Sequence, residues 1–316
     1  MVTKTDGKES SIYLKGIERF IQEIWAEMVK DNWKTLRVRQ LIPEELDVHY
    51  MMLYDYKSGK KTIPIQTLYK LLLLWKKYCR KTNKDVDRKW DEIYRSDFTL
   101  SSHKSHSISL PKSITPKLSY LLGWLCGDGH IEDRWNHYLI KISEKSTNQI
   151  NFVLKPLVKE LFNIDAPIFH IYEGGYGLQF GNKPIFRFLA QVLKIKVGKI
   201  PELVYKLDKI NKKYFLAGIF DAEGDVSKTR NRITISQANL EFINQLIYLF
   251  KEFNINFRGP YKHKTNLGIW YTIRLEKQDE VLKFFDYIGI YHIDKLKRLK
   301  EKLIKIYENR NCNSSA

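Results

Sequence analysis

Cysteine is scarce: the 316-residue chain holds three, Cys79, Cys126 and Cys312, at spacings that make neither a disulfide framework nor a zinc knuckle. Long apolar runs are missing too. The longest, Leu71–Trp75, is five residues, where a membrane-crossing helix needs about 20. The N-terminus, MVTKTDGKESS, lacks the apolar core of a secretory signal. Negative charge is in deficit, 36 Asp plus Glu against 54 Lys plus Arg, for a formal net charge of +18. These absences exclude secreted, disulfide-stapled and membrane-spanning readings. The expected setting is cytoplasmic or nucleoid-associated, an organelle included, with a polyanionic partner and no membrane.

What is present can bury sizeable cores, since hydrophobic residues make up 43% and aromatics 13%. The basic excess spreads over both halves, so it is not one solvated tail. Residues 101–116, SSHKSHSISLPKSITP, hold six serines and two prolines without apolar periodicity and read as a linker. Ahead of it, residues 1–100 read as helical. Ile17, Phe20, Ile21, Ile24 and Trp25 recur at helical spacing, and so do Ile65, Leu68, Leu71, Leu72 and Trp75. Between them a short helix with Pro43 near its N-terminus, a turn at Asp47, a second helix to about Lys57 and a Ser58-Gly59 stop spell a helix-turn-helix.

After the linker the pattern changes. His137–Ser143 and Arg230–Ser236 alternate as strands do, and an amphipathic helical stretch follows each, at 148–161 and 239–253. LSYLLGWLCGDGHI and KYFLAGIFDAEGDV align at a constant offset of 95, pairing Gly123 with Gly218, Asp128 with Glu223 and Gly129 with Gly224. The chain therefore holds a duplication, two similar subdomains about a pseudo-two-fold axis. Gly123 and Gly127, like Gly218 and Ala222, form a small-residue stripe that lets two helix backbones approach closely. Gly129 and Gly224 are expected to end these helices in left-handed caps. Asp128 and Glu223 then meet at one end of the helix pair, where like charge and two helix dipoles both oppose them. A divalent cation reverses that sign: Mg²⁺ takes one or two carboxylates with carbonyl and phosphate oxygens, so the Gly127 and Ala222 carbonyls join the candidate ligands. Under a basic surface this suits metal-assisted phosphodiester hydrolysis.

LLGWLCGDG (Leu121–Gly129) and LAGIFDAEG (Leu216–Gly224) resemble the two signature motifs of the monomeric, two-motif LAGLIDADG homing endonucleases. The second is close to the family pattern; the first departs from it at Trp124, Cys126 and Gly127. The resemblance spans residues 118–308 and implies an α+β fold. Two pseudo-symmetric αββαββα subdomains, 117–212 and 213–308, would pack through their motif helices, and their sheets would form a saddle in the DNA major groove. A flexible tail, 309–316, would follow. The resemblance implies Asp128 and Glu223 as metal-binding, water-positioning acids, with two or three Mg²⁺ and Mn²⁺ as a substitute. It implies Lys196 (or Lys199) and Lys295 as lysines that stabilise phosphorane-like charge, and Lys141 and Thr234 as water organisers. Cys126 stands where the second repeat has Asp221, a position that is not the usual metal ligand. The outward residues expected at DNA are Lys141, Ser143, Lys145, Tyr172, Tyr176 and Gln179, then Arg230, Arg232, Thr234 and Ser236, then Arg258, Lys262, Lys264, Tyr271 and Arg274.

VHYMMLYDYKSGKKTIPIQTLYKLL resembles the second half of a Cro/repressor-type helix-turn-helix, implying an all-α domain over 1–100. Its recognition helix, Val48–Lys57, would present His49, Tyr50, Tyr54 and Lys57, with Lys60 and Lys61 for phosphate. The alternative is a bundle in which Tyr50, Met51, Leu53 and Tyr54 are core. Together these features read as a monomeric, metal-dependent endonuclease, of the intron-homing kind, cutting both strands of a long asymmetric duplex DNA target. Two other readings stay open: a sequence-specific transcription regulator that kept the saddle without cleavage, and an RNA maturase. An intein is disfavoured, because residues 1–100 read as helix rather than a β-rich splicing domain.

Overall fold

The computed structural model describes residues 12–31, 36–102, 107–134, 137–171, 175–230, 232–266 and 268–313. The chain forms two compact units, Met1–Lys112 with Asn182–Arg187, and Ser113–Gly181 with Phe188–Ala316.

The first unit runs β1 (Ile12–Lys15), α1 (Glu18–Asp31), α2 (Leu36–Leu46), α3 (Tyr50–Lys57), β2 (Ile63–Pro64), α4 (Ile65–Tyr78), α5 (Asn83–Arg95) and β3 (Thr99–Ser102). Its core is the helical stripe read from sequence: Ile21, Ile24 and Met28 of α1 and Leu68, Leu71, Leu72 and Trp75 of α4 are buried. Two expectations need correction. Pro43 lies late in α2, not near its start, because Ile42 and Leu46 continue the buried face on either side of it. And the unit is not all-α: β1 pairs antiparallel with β2 and β3 in the order β2-β1-β3. Ile12 and Leu14 alternate inward in a segment whose flanks are polar. Ser101 and Ser102 belong to β3, Leu100 exchanges backbone bonds with Ile108, and Lys112 Nζ donates to the carbonyls of Arg95 and Ser96. Backbone pairing, invisible in a serine-rich sequence, orders part of the expected linker.

The second unit repeats itself. Its first half runs α6 (Pro116–Asp128), β4 (Gly129–Arg134), β5 (His137–Glu144) and α7 (Thr147–Gln149), which continues through a π-helical stretch, Ile150–Leu154, into α8 (Lys155–Phe162). β6 (Ile168–Ile171) and β7 (Gly175–Phe180) follow. Beyond α9 (Lys183–Phe186), which belongs to the first unit, and α10 (Glu202–Tyr205), the second half runs α11 (Lys209–Glu223), β8 (Gly224–Val226), β9 (Ile233–Gln237), α12 (Leu240–Lys251), β10 (Arg258–Thr265), β11 (Gly268–Leu275) and α13 (Gln278–Tyr287). A last helix, α14 (Ile293–Asn313), closes the order. The two antiparallel sheets have matching strand orders, β4-β5-β7-β6 and β8-β9-β11-β10. Ile140, Ile142, Leu178 and Phe180 fill the inner face of one; Ile233, Ile235, Ile273 and Leu275 fill that of the other.

The repeats meet along α6 and α11, almost wholly buried from Leu118 to Gly127 and from Phe215 to Asp221. Glycine is required at the crossing. A Cβ on Gly123 would fall 2.1 Å from the Phe215 carbonyl oxygen, and one on Gly218 would fall 2.1 Å from that of Tyr120. The terminal glycines correct another expectation. Gly129 and Gly224 both have φ −80°, so neither is a left-handed cap. They are glycines because each helix turns straight into a strand, and a Cβ would lie 2.5 Å from Leu125 O or 2.3 Å from the Phe220 ring.

Gly218→Ala and Gly123→Ala should each lower the unfolding free energy by at least about 2 kcal/mol, since backbone rather than a movable side chain opposes the new methyl. Ala222→Gly should cost only about 1 kcal/mol of helix propensity. Urea unfolding of the three variants measures the difference, and a neutral Gly218→Ala would show that the helices do not touch there.

Candidate active site

Because α6 and α11 run straight into strands, their last residues, Asp128 and Glu223, sit where the two crossing helices end. Gly127 packs against α11 beside them: a Cβ there would meet Ala222 Cβ at 2.9 Å and Glu223 Cγ at 3.0 Å. Desolvation raises the Asp128 pKa to about 6, although the side chain remains accessible to solvent, and the Glu144 charge adds to the rise. Desolvation, then the Asp128 charge, raises Glu223 to about 7, and Gln237 Nε2 donates to Glu223 Oε1 at 2.8 Å. Lys295 opposes both shifts. The pair is thus a strained, undercompensated concentration of negative charge.

Lys295 is buried and reaches the site from the first turn of α14. Its Nζ donates to the carbonyls of Asp221 (2.6 Å) and Phe220 (3.3 Å) at the end of α11, the latter also accepting from Gly224 N–H, and burial lowers its pKa. Asp221 is buried as well: its Oδ2 accepts from Tyr120 OH at 2.8 Å and from Tyr291 N–H at 2.9 Å, while burial lifts its pKa to about 6. In the first repeat the parallel interactions use backbone. Gly198 N–H donates to Cys126 O at 2.7 Å, and the Lys196 N–H bonds the fully buried Cys126 thiol, whose pKa burial pushes up. Such a thiol is inert.

A cleft of about 680 Å³ opens beside these groups, lined by Asp128, Ser143, Glu144, Lys145, Ala222 and Lys295 among others. So the structure brings Asp128, Glu223, Lys295 and Ala222 together, with Ser143 and Lys145 at the rim. Lys196 does not line this cleft; its side chain is exposed, and the 95-residue offset matches it to Tyr291 and matches Lys295 to buried Ile200. Glu144, Gln237 and His292 are site residues that the sequence reading passed over. Ser146 N–H and His292 Nε2 lie 2.8 and 3.2 Å from the Glu144 carboxylate oxygens; burial pushes Glu144 up, but these bonds outweigh it and leave its pKa below the ordinary value. Aligning IKISEKS with ITISQAN puts Glu144 opposite Gln237 and carried the signal.

Among the described residues no cluster of three or more metal-ligating side chains occurs. The donor set is two carboxylates with nearby carbonyls, which fits Mg²⁺ because that ion keeps waters and phosphate oxygens for its remaining positions. A cation would also offset the desolvation, and the charge repulsion added to it, that raise both pKa values.

The outer faces carry most of the expected contacts. Lys141, Ser143 and Gln179 point away from the buried side of the first sheet, and Thr234, Ser236 and Arg274 from that of the second. Arg232 lies just ahead of β9, and its Nε is buried with no hydrogen-bond partner among the described residues. Ser236 shares a hydrogen bond with Thr272 at 2.8 Å. Arg230 lies exposed ahead of β9, and Arg258, opposite Arg274, is 3.8 Å from Glu276. Lys262 and Lys264 correct the expectation: they are exposed, but they pair with Tyr271 and Ile269, so the register puts them on the sheet face of Ile273 and Leu275, away from Thr272 and Arg274. Tyr271 shares that inner parity, and so does Tyr176, in line with Leu178 and Phe180. Tyr172 lies outside the described residues. In the first unit α3 begins at Tyr50, with His49 as its N-cap accepting from Met51 N–H. Leu53 is core, but Tyr50 and Tyr54 are 63% and 56% exposed. Lys57 lies over Trp25, Lys60 over Tyr54, and Lys61 pairs with Asp55.

Residues 211–289 match a LAGLIDADG-like domain. The chain is also 25% identical over 221 residues to a glutamine–fructose-6-phosphate aminotransferase of Methanocaldococcus jannaschii, covering 68% of this chain and 19% of that protein. It is 27% identical over 179 residues to a probable translation initiation factor IF-2 of Thermococcus kodakarensis, covering 54% of this chain and 15% of that protein. The chain thus spans about a fifth or less of the length of these curated relatives. Among solved structures, I-DmoI in complex with DNA and Mn is 21% identical with TM-score 0.43, covering 56% of this chain and 98% of that one. The N-terminal LAGLIDADG domain of DUF199/WhiA is 19% identical with TM-score 0.39, covering 56% and 84%.

Asp128 and Glu223 hold protons more tightly folded than unfolded, so ionising them costs stability. The cost begins near the ordinary values of 3.8 and 4.5 and is complete above about 6 and 7. Asp128→Asn and Glu223→Gln should therefore raise the melting temperature of metal-free protein at pH 8 and leave it nearly unchanged at pH 4. Equal shifts at both pH values in calorimetry would contradict the strained pair.

Proposed function

We propose that the second unit is a divalent-metal-dependent endonuclease that cuts both strands of duplex DNA at a long, asymmetric site, acting as a monomer. The observation that carries this reading is the pair Asp128 and Glu223, one from each repeat, forced together at a glycine-tight helix crossing with both pKa values raised. A protein that only binds DNA gains nothing from two carboxylates crowded together near a phosphate backbone.

Asp128 and Glu223 would hold the divalent cation, with the Ala222 carbonyl at hand. That ion supplies Lewis-acid activation of a water and neutralises phosphate charge. Gln237 fixes the Glu223 carboxylate through its 2.8 Å bond. Lys295 brings positive charge to the cleft and stabilises negative charge that grows on the phosphate. The two outer faces present different side chains, so a single chain reads an asymmetric target. The first unit adds contacts through α3, whose Tyr50 and Tyr54 are exposed, with Lys60 over the Tyr54 ring.

The family match on residues 211–289 supports the reading for the second repeat.

The test is cleavage of a randomised duplex library in Mg²⁺, with Ca²⁺ as a comparison. Breaks at one long site in Mg²⁺ are expected. Asp128→Asn and Glu223→Gln should each reduce cleavage at that site at least about 100-fold with duplex binding retained. Specific binding without breaks in either ion would favour the regulator, and preference for RNA in competition would favour the maturase.

A further inference from the structure

Each sheet carries an aromatic ring lying on its outer face at the same topological position. In the first sheet the row Ser143–Gly177–Phe169 crosses β5, β7 and the edge strand β6. In the second, Ser236–Thr272–Tyr261 crosses β9, β11 and the edge strand β10. Ser143 and Ser236 are equivalent in the strand alignment, so Phe169 and Tyr261 are equivalent too. Both are half-buried although they face away from the core.

Each ring has a cation on it from the neighbouring row. Arg274 of β11 lies with its guanidinium carbon 4.1 Å from the Tyr261 centroid, and its Nε is ion-paired with Glu276 at 3.3 Å. Among the described residues no partner takes its two terminal nitrogens. Lys141 of β5 has its Nζ 5.6 Å from the Phe169 centroid and makes no other polar contact among the described residues. The Phe169 ring lies so close over Gly177 that a Cβ there would fall 2.1 Å from it. Glycine at that point is what lets the ring lie flat.

We propose that Tyr261 and Phe169 are positioning residues for base reading, each holding a cation in a fixed direction toward one base pair in its half of the DNA target. A guanidinium held by a ring on its face, with the Glu276 carboxylate close to its buried Nε but not hydrogen-bonded to it, presents its outer fork ready-made, and that fork matches the two acceptors of guanine in the major groove. Fixing it before binding removes the entropy cost of ordering a long side chain. Lys141 is a rotating point charge, so its half reads less sharply. The inference rests on the DNA-cutting reading above and assigns the second repeat one stringent guanine that the first repeat does not match.

The test is repeated selection from a randomised duplex library in Ca²⁺, sequenced for wild type, Tyr261→Ala, Tyr261→Phe, Arg274→Ala, Phe169→Ala and Gly177→Ala, each first shown to melt as wild type does. Tyr261→Ala and Arg274→Ala should lose the same guanine preference by roughly tenfold or more, while other positions stay unchanged and Tyr261→Phe, which keeps the ring, retains it. Phe169→Ala and Gly177→Ala should both weaken one position in the opposite half. A wild-type site that Tyr261→Ala enriches with an unchanged profile, or binds more weakly at all positions alike, overturns the inference and leaves the nuclease reading standing. If wild type enriches no duplex, the DNA reading itself fails and this inference falls with it.

Discussion

Everything in the second unit depends on two helix backbones touching. At Gly123 and Gly218 there is no room for a single methyl, because each glycine faces a carbonyl oxygen of the other helix. That approach fixes the helices in both position and angle, and so fixes where they end. Asp128 and Glu223 are the last helical residues, and the strands that follow leave without a loop in between. The repulsion between the two acids is therefore built into the packing; relaxing it would mean separating α6 from α11 and exposing the apolar faces buried along both.

Around that crossing the duplication is only approximate, and the differences carry chemistry. The second repeat places Asp221 under the helix end, where Tyr120 of the first repeat and the backbone of Tyr291 hold it. Gln149 extends the same network, donating to Tyr120 OH and accepting from Ile293 N–H. Glu144 and His292 join the start of α14 to β5 of the opposite repeat. These bonds bind the segment 291–295 from both sides and deliver Lys295 to the end of α11. In the first repeat, Cys126 and the backbone of residues 196–198 do the equivalent work without any charged side chain. A site with one buried lysine and two unlike acids is chemically asymmetric, and the outer faces, with arginine on tyrosine in one sheet and lysine on phenylalanine in the other, are asymmetric in the same sense.

Much of this was legible in the chain itself. The 95-residue offset, the small residues four apart and the acid before each terminal glycine are local patterns, and each implies its structure without knowledge of anything distant. The strand alternation at Ile140 and Ile142 and at Ile233 and Ile235 likewise sorted inner from outer residues correctly, because a pleated strand has a fixed period of two. The sheet of the first unit was not legible. Its strands are short, its pairing is made by backbone, and one partner lies in a serine-rich stretch.

The sequence by itself determined the duplication, the helix pair and the two acids, since these follow from spacing along one chain. Only the tertiary structure decided that Lys295 is buried against the carbonyls of Phe220 and Asp221, that Glu144 is bound by a histidine 148 residues away, and that Phe169 and Tyr261 lie as platforms beneath Lys141 and Arg274. Those relations depend on register between strands and on the path into the last helix. Neither is encoded by any short segment; both arise when distant segments bury their apolar faces together.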